Sequence, residues 1–442
     1  MKKRLIITLS ILLIVIISFG ACTSCKKTKV PEKEISKYVS FTISMGDKDS
    51  FKILQLTDTH FINSEETDPE NLSKDYSRRD GWAKTAIAET VQAASPDLII
   101  VTGDSIFTLN EMKVFTGTSD NYAAFQEFAL YIDSFKIPWA FLFGNHDEEG
   151  SLMLNLGSAK ETKKILGAFL NSDEIKYCKY SDGPDEINGV GNYIINIVNK
   201  DGSVNHPLVL FDSGSYLRVV DPRDGKTYAN QQAYEYVHDD QLDWYETAIT
   251  DISRIEGKPV ESIIFQHIPF PEYGTVYDAF VEALVKLGEN PEDTIKPDGT
   301  GVERTLETEL GTVTYHGGIY GDGAVASSYV GEFHGKTYDG GHEFERLVKF
   351  GSAKYVFCGH DHRNTFAFTY KGIRFGYSRS IDYSANGLVP PPLADNQTIY
   401  DETVQRGGTL ITLGKDNSVN IESIPFTRNL YRETLEELGL EK

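Results

Sequence analysis

One repeated feature restricts the fold of this 442-residue chain more than any other: a short apolar run that gives way abruptly to a polar cluster. The runs are Phe51–Leu56, Leu98–Thr102, Trp139–Phe143, Tyr193–Ile197, Leu208–Phe211, Ser262–Phe265, Tyr355–Phe357 and Thr409–Leu413. Near-continuous apolar stretches of this length predict strands buried on both faces. Helical patterns lie between them. In Trp82–Ala94, Ala83, Ile87 and Val91 recur every four residues, and Pro96 follows as a stop. Ala123–Phe135 carries Phe125, Phe128, Ile132 and Phe135, with Pro138 after it, and Gln241–Ile255 carries Leu242, Tyr245, Ile249 and Ile252. Strand, helix, strand at this spacing predicts an α/β domain.

Five polar clusters stand directly after such runs. They are Asp58-Thr59-His60, Gly103-Asp104, Gly144-Asn145-His146-Asp147, Gln266-His267 and Gly359-His360-Asp361-His362. Five of the ten histidines fall in them. Open α/β sheets place their sites at the carboxyl ends of the strands. Each cluster alone is ordinary, since a lone His after a strand is usually a hydrogen-bonded structural residue; their joint occurrence is what carries information. Imidazoles, carboxylates and the neutral oxygen of Asn145, without a thiolate, suit Mn, Fe or Zn rather than a soft-metal centre. Two such ions about 3.5–4 Å apart can hold a phosphate ester, lower the pKa of a bound water and steady the leaving oxygen.

The order Asp-x-His, Gly-Asp, Gly-Asn-His-Asp, lone His, Gly-His-x-His resembles the calcineurin-like metallophosphoesterase family from about Phe51 to Ser384. The resemblance implies a four-layer α/β/β/α sandwich, with two central sheets flanked by helices and the site at one edge. It implies that Asp58, His60 and His362 ligate a first metal, that Asn145, His267 and His360 ligate a second, and that Asp104 bridges them. It further implies in-line attack on phosphorus by a metal-bound hydroxide, with His146 contacting the phosphate and protonating the leaving group. Asp147 is expected either to orient His146 or to stabilise the turn, and Asp361 to be a turn residue. Gly144–Gly150, Gly191-Asn192-Tyr193, Asp212-Ser213-Gly214 and His267–Tyr273 resemble the Dcr2-type, purple-acid-phosphatase-like subgroup. Phe107 stands where purple acid phosphatases proper carry the iron-binding Tyr, so a coloured Fe(III)-phenolate centre is not expected. Arg78, Arg79 and Arg363 lie near the motifs as candidate phosphate contacts, although each is more readily a surface residue.

The chain begins with Lys2-Lys3-Arg4 and an apolar run from Leu5 to Gly20, too short for the roughly 20 residues of a spanning helix. It reads as a signal peptide over 1–21, ending Phe19-Gly20-Ala21-Cys22, with lipidation of Cys22 expected. Residues 22–47 read as a lipid-anchored tether, 48–430 as the catalytic domain and 431–442 as a C-terminal helix. Export and a membrane contact through the lipid follow from that reading. Within the domain, 274–341 is rich in Gly, Thr and acidic residues, and is expected as a helix over Tyr277–Leu287 followed by loops or small hairpins. It would be a lid or an elaborated rim, and its His316, His334 and His342 are expected to be ordinary loop residues. Asp and Glu outnumber Lys and Arg 65 to 43, a formal charge of -22, which makes the chain a poor candidate for general nucleic-acid binding, since that needs a basic footprint. Cys178 and Cys358 are the two cysteines of the domain that could pair. The expected function is an exported phosphoesterase acting on small or exposed phosphate esters, first of all monoesters. A phosphodiesterase and a metal-bound binding lipoprotein without catalysis are the alternatives.

Overall fold

A computed structural model describes residues 34–65, 67, 75–107, 120–149, 159–220, 227–296, 300–321, 325–385 and 406–439. The signal segment and Cys22 lie outside the described residues. Strands are numbered along the chain. One sheet contains β2 (Ser50–Leu56), β3 (Leu98–Thr102), β4 (Trp139–Leu142), β17 (Gly407–Gly414) and β18 (Val419–Pro425), in the order β18-β17-β2-β3-β4. A nine-stranded sheet contains β1 (Val39–Ser44), β5 (Tyr193–Val198), β6 (Val204–Leu210), β9 (Ser262–Phe265), β10 (Arg304–Thr308), β11 (Gly311–Tyr315), β14 (Ala353–Cys358), β15 (Ala367–Tyr370) and β16 (Ile373–Tyr377). Its order is β1-β5-β6-β9-β14-β16-β15-β11-β10. Two hairpins stand apart: β7 (Tyr216–Val220) with β8 (Thr227–Tyr234), and β12 (Val330–Phe333) with β13 (Lys336–Asp339).

Side-chain alternation dictates the layers. On β9, Ile263 and Phe265 join one apolar core and Ile264 joins another. Phe357 on β14 faces the first core, and Val356 and Cys358 face the second. Successive side chains of a strand point to opposite faces, so the larger sheet is buried on both. The first core also takes Ile53, Leu56, Ile99 and Val101 from the smaller sheet and residues of α1 (Arg79–Ala94), α2 (Asn121–Asp133) and α3 (Ala159–Leu170). The second takes α4 (Asp239–Glu256), α5 (Glu272–Lys286) and α6 (Glu343–Phe350). The result is a mixed α/β fold layered helix, sheet, sheet, helix. Leu430 and Tyr431, at the start of the last helix α7 (Leu430–Leu438), close onto the first core.

Every apolar run singled out in the sequence is a strand. β17 and β18 pair antiparallel with Leu413 opposite Val419, and β17 pairs with β2 on its other side. Other parts are more regular than the sequence suggests. Within 274–341 the helix begins earlier, at Glu272, and β12–β13 is a small hairpin. β10 and β11, however, extend the nine-stranded sheet, with Val313 of β11 opposite Tyr370 of β15. β10 escapes the apolar-run criterion because its residues are at most half-buried in an edge strand rich in Thr and Glu. Cys178 and Cys358 are both free thiols.

Glu343 opens α6 while only 2% exposed. Its Oε2 accepts from Gln266 Nε2 at 3.1 Å, and its Oε1 has no hydrogen bond. Burial pushes its pKa up to about 8, against the Gln266 bond and with help from Glu272. The folded pKa lies above the ordinary 4.5, so the folded chain keeps a proton that the unfolded chain releases. This contribution to stability is whole below pH 4.5 and is lost as pH rises toward 8, with a limiting slope of about 1.4 kcal/mol per pH unit. Glu343→Gln should therefore gain stability over the native chain between pH 5 and pH 8. Urea midpoints at both pH values test it, and an equal gap at the two would refute the assignment.

Candidate metal centre

The five clusters occupy loops at the carboxyl ends of β2, β3, β4, β9 and β14, where the two sheets meet. Backbone bonds lace the loops together. Asp58 N donates to Gly103 O and His60 N to Asp104 O, each at 3.1 Å, and Gly359 N donates to His267 O at 3.2 Å. His360 N donates to the Asp58 carboxylate at 3.2 Å, across the two sheets. Asp58, His60, Asp104 and His360 all have positive φ, between 47° and 77°. Non-glycine residues adopt this region at a cost of roughly 1–3 kcal/mol and keep it where the surroundings enforce it. The motif glycines serve close approach. A Cβ on Gly144 would stand 2.2 Å from Asp104 Oδ1, and one on Gly103 2.5 Å from Gly144 N.

These loops gather all seven expected ligands. Asp58, His60, Asp104 and His362 form one buried group able to hold a metal ion, and Asp104, His267 and His360 form another that shares Asp104. His362 Nε2 lies 3.4 Å from Asp58 Oδ1, His60 Nε2 3.5 Å from Asp104 Oδ2, and His267 Nε2 3.1 Å from the same oxygen. Asn145 Oδ1 comes within 3.2 Å of His267 Nε2, and His360 Nδ1 within 3.3 Å. His60 Nε2, Asp104 Oδ2 and His360 Nε2 are buried without a hydrogen bond. Buried polar atoms are almost always paired. Convergent lone-pair donors left unpaired around a shared carboxylate are what a pair of cations completes, so the residues fit two metal ions.

A second layer holds the ligands in place. His267 Nδ1 bonds to Thr102 O at 2.7 Å, which leaves Nε2 facing the centre. Asp382 stands between two ligand histidines, with Oδ1 3.1 Å from His60 Nδ1 and Oδ2 3.1 Å from His362 Nδ1. Burial opposes charge on His60, but the Asp382 and Asp104 carboxylates outweigh it and push its pKa up to about 9. His267 is likewise buried, and Asp104 raises it to about 9. Asp382 accepts from Ser384 N and Ala385 N, while Arg406 Nε grips its carbonyl at 2.8 Å and Arg79 Nη1 grips those of Tyr383 and Ser384. Nothing in the sequence marks Asp382, 20 residues beyond His362.

Asp147 does not orient His146. Its Oδ2 accepts from Asp104 N (3.0 Å) and Gly144 N (2.7 Å), and its Oδ1 from Ser105 N (2.9 Å) and Ser105 Oγ (2.5 Å). It is the clasp between the β3 and β4 loops, and its lone pairs are spent on backbone N–H groups and the Ser105 hydroxyl. The carboxylate facing His146 is Glu149, with Oε1 2.8 Å from Nδ1. His146 Nε2 lies 3.9 Å from Asp104 Oδ2, and its side chain is 18% exposed at the mouth of the centre. The Phe107 ring packs edge-on against His60 and His146 at 5.5 and 5.0 Å. Asp361 is the expected turn residue, accepting from Tyr377 Oη and Ala326 N. Arg79 is buried against the Asp382 loop, Arg78 pairs with Asp75, and Arg363 is half-buried beside His362. His316 is held by Glu303 and Thr369, His342 lies near Asp339, and His334 packs beside Phe333. None of these three belongs to a metal-holding group among the described residues.

Two outcomes follow from this geometry. Asp382→Asn should weaken metal binding about 10- to 100-fold, as is usual for a partner of ligand histidines, read by competition with a chelator; unchanged affinity would remove Asp382 from the site. Asp147→Asn turns an amide toward donors and should cost on the order of 2–4 kcal/mol of stability. A denaturation midpoint equal to the native one would refute the clasp.

The geometry agrees with comparison to known proteins. The family described as calcineurin-like phosphoesterase matches residues 51–364, which include every ligand position. An Arabidopsis thaliana protein named "Probable inactive purple acid phosphatase 14" is 26% identical over 360 residues, 77% of this chain and 72% of its own. The Saccharomyces cerevisiae protein "Phosphatase DCR2" is 28% identical over 326 residues, 72% of this chain and 45% of its own. A solved dimetal phosphatase from Danio rerio covers 85% of this chain and 99% of its own at 11% identity, with a TM-score of 0.40, too loose a likeness to bear on the fold. The chain belongs to the calcineurin-like phosphoesterase family, as a phosphoric ester hydrolase with a binuclear metal-binding centre of Asp and His residues.

Proposed function

We propose that this chain is an exported phosphomonoesterase, carried on the membrane by a lipid at Cys22. The observation that carries the catalytic part is His146. It stands at the mouth of a complete ligand set, partly exposed, with one ring nitrogen toward Asp104 and the other 2.8 Å from the Glu149 carboxylate. A protein kept only for metal binding has no use for such a histidine. Two metal ions bound there supply Lewis-acid charge for the phosphate and activation of water. Asp58, His60 and His362 would hold one ion, Asn145, His267 and His360 the other, and Asp104 would serve both. His146 carries a proton at Nε2 and delivers it to the departing alcohol oxygen. The name of one relative, "Phosphatase DCR2", supports the monoester reading over the diester one, while the name "Probable inactive purple acid phosphatase 14" supports the non-catalytic alternative. Export and the anchor rest on the basic start, the apolar run and the small residues before Cys22.

The test strips the purified chain of metal, reloads it with Mn, Fe or Zn, and assays p-nitrophenyl phosphate beside bis-p-nitrophenyl phosphate. The expected result is metal-dependent monoester turnover, abolished in Asp104→Asn. Preference for the diester would replace the monoesterase reading. Two bound ions without turnover of either ester would favour the non-catalytic one. Labelling with a radioactive fatty acid, lost in Cys22→Ser, tests the anchor.

A further inference from the structure

We infer that Glu149 and Tyr216 are positioning residues for ester cleavage, which together join the metal ligand Asn145 to the proton donor His146. The inference rests on the hydrolytic reading above and adds two residues that lie outside the five ligand clusters.

The chain of contacts is continuous. His146 opens a 3-10 turn, His146–Glu148, and Glu149 N closes it on His146 O at 3.1 Å. Three residues per turn place positions i and i+3 one above the other. His146 and Glu149 therefore share a face, while Asp147 points down into the loops. His146 Nδ1 meets Glu149 Oε1 at 2.8 Å. The same oxygen accepts from Tyr216 Oη at 3.0 Å, and Tyr216 Oη accepts from Asn145 Nδ2 at 3.0 Å. That last bond fixes the amide so that Asn145 Oδ1, not the nitrogen, faces His267 and the centre. Tyr216 begins β7, an element remote in sequence from the β4 loop, and Asn145 and His146 are adjacent. A surface ion pair between i and i+3 would need no third residue. Here the hydroxyl from another element reaches both the carboxylate and the amide.

The consequence is chemical. Glu149 Oε1 stands at ion-pair distance from Nδ1, 2.8 Å, although the ring N–H makes no aligned hydrogen bond in the metal-free chain. Closing that contact keeps the Nδ1 proton on Glu149 and turns the Nε2 proton to the ester. Water supplies the oxygen that attaches to phosphorus as the ester P–O bond breaks. The bonding pair leaves on the alcohol oxygen, the Nε2 proton goes to that oxygen, and a proton from the attacking water restores His146. Phosphate and alcohol are the products. Proton donation matters most where the leaving alcohol is a poor one. An orienting role must therefore show itself in leaving-group dependence, which a general loss of structure does not alter.

The experiment uses the full chain, loaded with the metal that supports the highest turnover. A series of aryl esters runs from p-nitrophenol to p-methoxyphenol as leaving group, as monoesters and as diesters. Glu149→Gln should lower kcat about 2-fold for the best leaving group and about 10- to 100-fold for the poorest, at or below the lower end of the effect of a whole general acid, as befits a positioning residue. Metal content and urea midpoint should stay at native values. Tyr216→Phe should shift the dependence in the same direction by less, and the double variant should lose less than the product of the two. An equal loss for every leaving group, or a multiplicative double variant, would overturn the proposal. A second readout needs no turnover. In nitrogen-15 histidine NMR of the metal-loaded chain, the Nδ1–H resonance of His146, assigned by its absence in His146→Asn, should move in both variants. If it moves in neither, the contacts do not operate. A native chain that cleaves only diesters, or no ester, would count against the monoesterase reading, while the resonance still decides the roles of Glu149 and Tyr216.

Discussion

Asp104 is buried where the ends of two sheets converge, and its carboxylate faces the imidazoles of His60, His146 and His267 at once. A charge removed from water must be compensated on the spot or it unfolds its surroundings. In the metal-free chain protons do that work: burial disfavours charge on His60 and His267, yet the carboxylates hold both pKa values at about 9. In the loaded chain the ions take over. Proton and metal thus compete for one compensating position, and metal affinity rises with pH until the histidines have lost their protons. The rest of the site exists to keep the donors converged while this exchange takes place.

Convergence is enforced mainly by backbone. Four of the site residues stand in left-handed conformation, and glycines let one loop lie against the next where any side chain would collide. Such a conformation persists because Asp147 clasps the β3 and β4 loops from below and the Asp382 loop braces two histidines from the side. Arg79 and Arg406, both buried, then hold the Asp382 loop by its carbonyls. A polar network of this kind strengthens when complete and is costly when broken. Its members therefore matter to the metal without touching it.

How much of this could be read from the sequence depended on distance from the strands. The seven ligands follow directly after apolar runs, where the strand register sets their position, and so the core of the site was readable. Asp147 was half readable: turn stabilisation stood beside the orienting role and is what the loops use it for, but adjacent residues of a tight turn point in different directions, so the sequence did not show that Glu149 shares a face with His146. Asp382 lies in a loop without periodicity and acts through pairing across the fold. The sheets followed the same rule. Buried central strands were apparent, while β10, half-exposed and built of Thr, Glu and Arg, carried too little apolar signal.

The bond from His360 N to the Asp58 carboxylate spans 302 positions of chain. β2, whose following loop holds Asp58, also lies between β3 and β17, and β17 begins at Gly407. A chain cut short of the last strands therefore loses the strand that flanks β2 on one side, and with it part of what positions Asp58. A centre joined across such a span of chain gathers its ligands only as the fold closes, so the metals present where the chain folds bear on which pair it acquires.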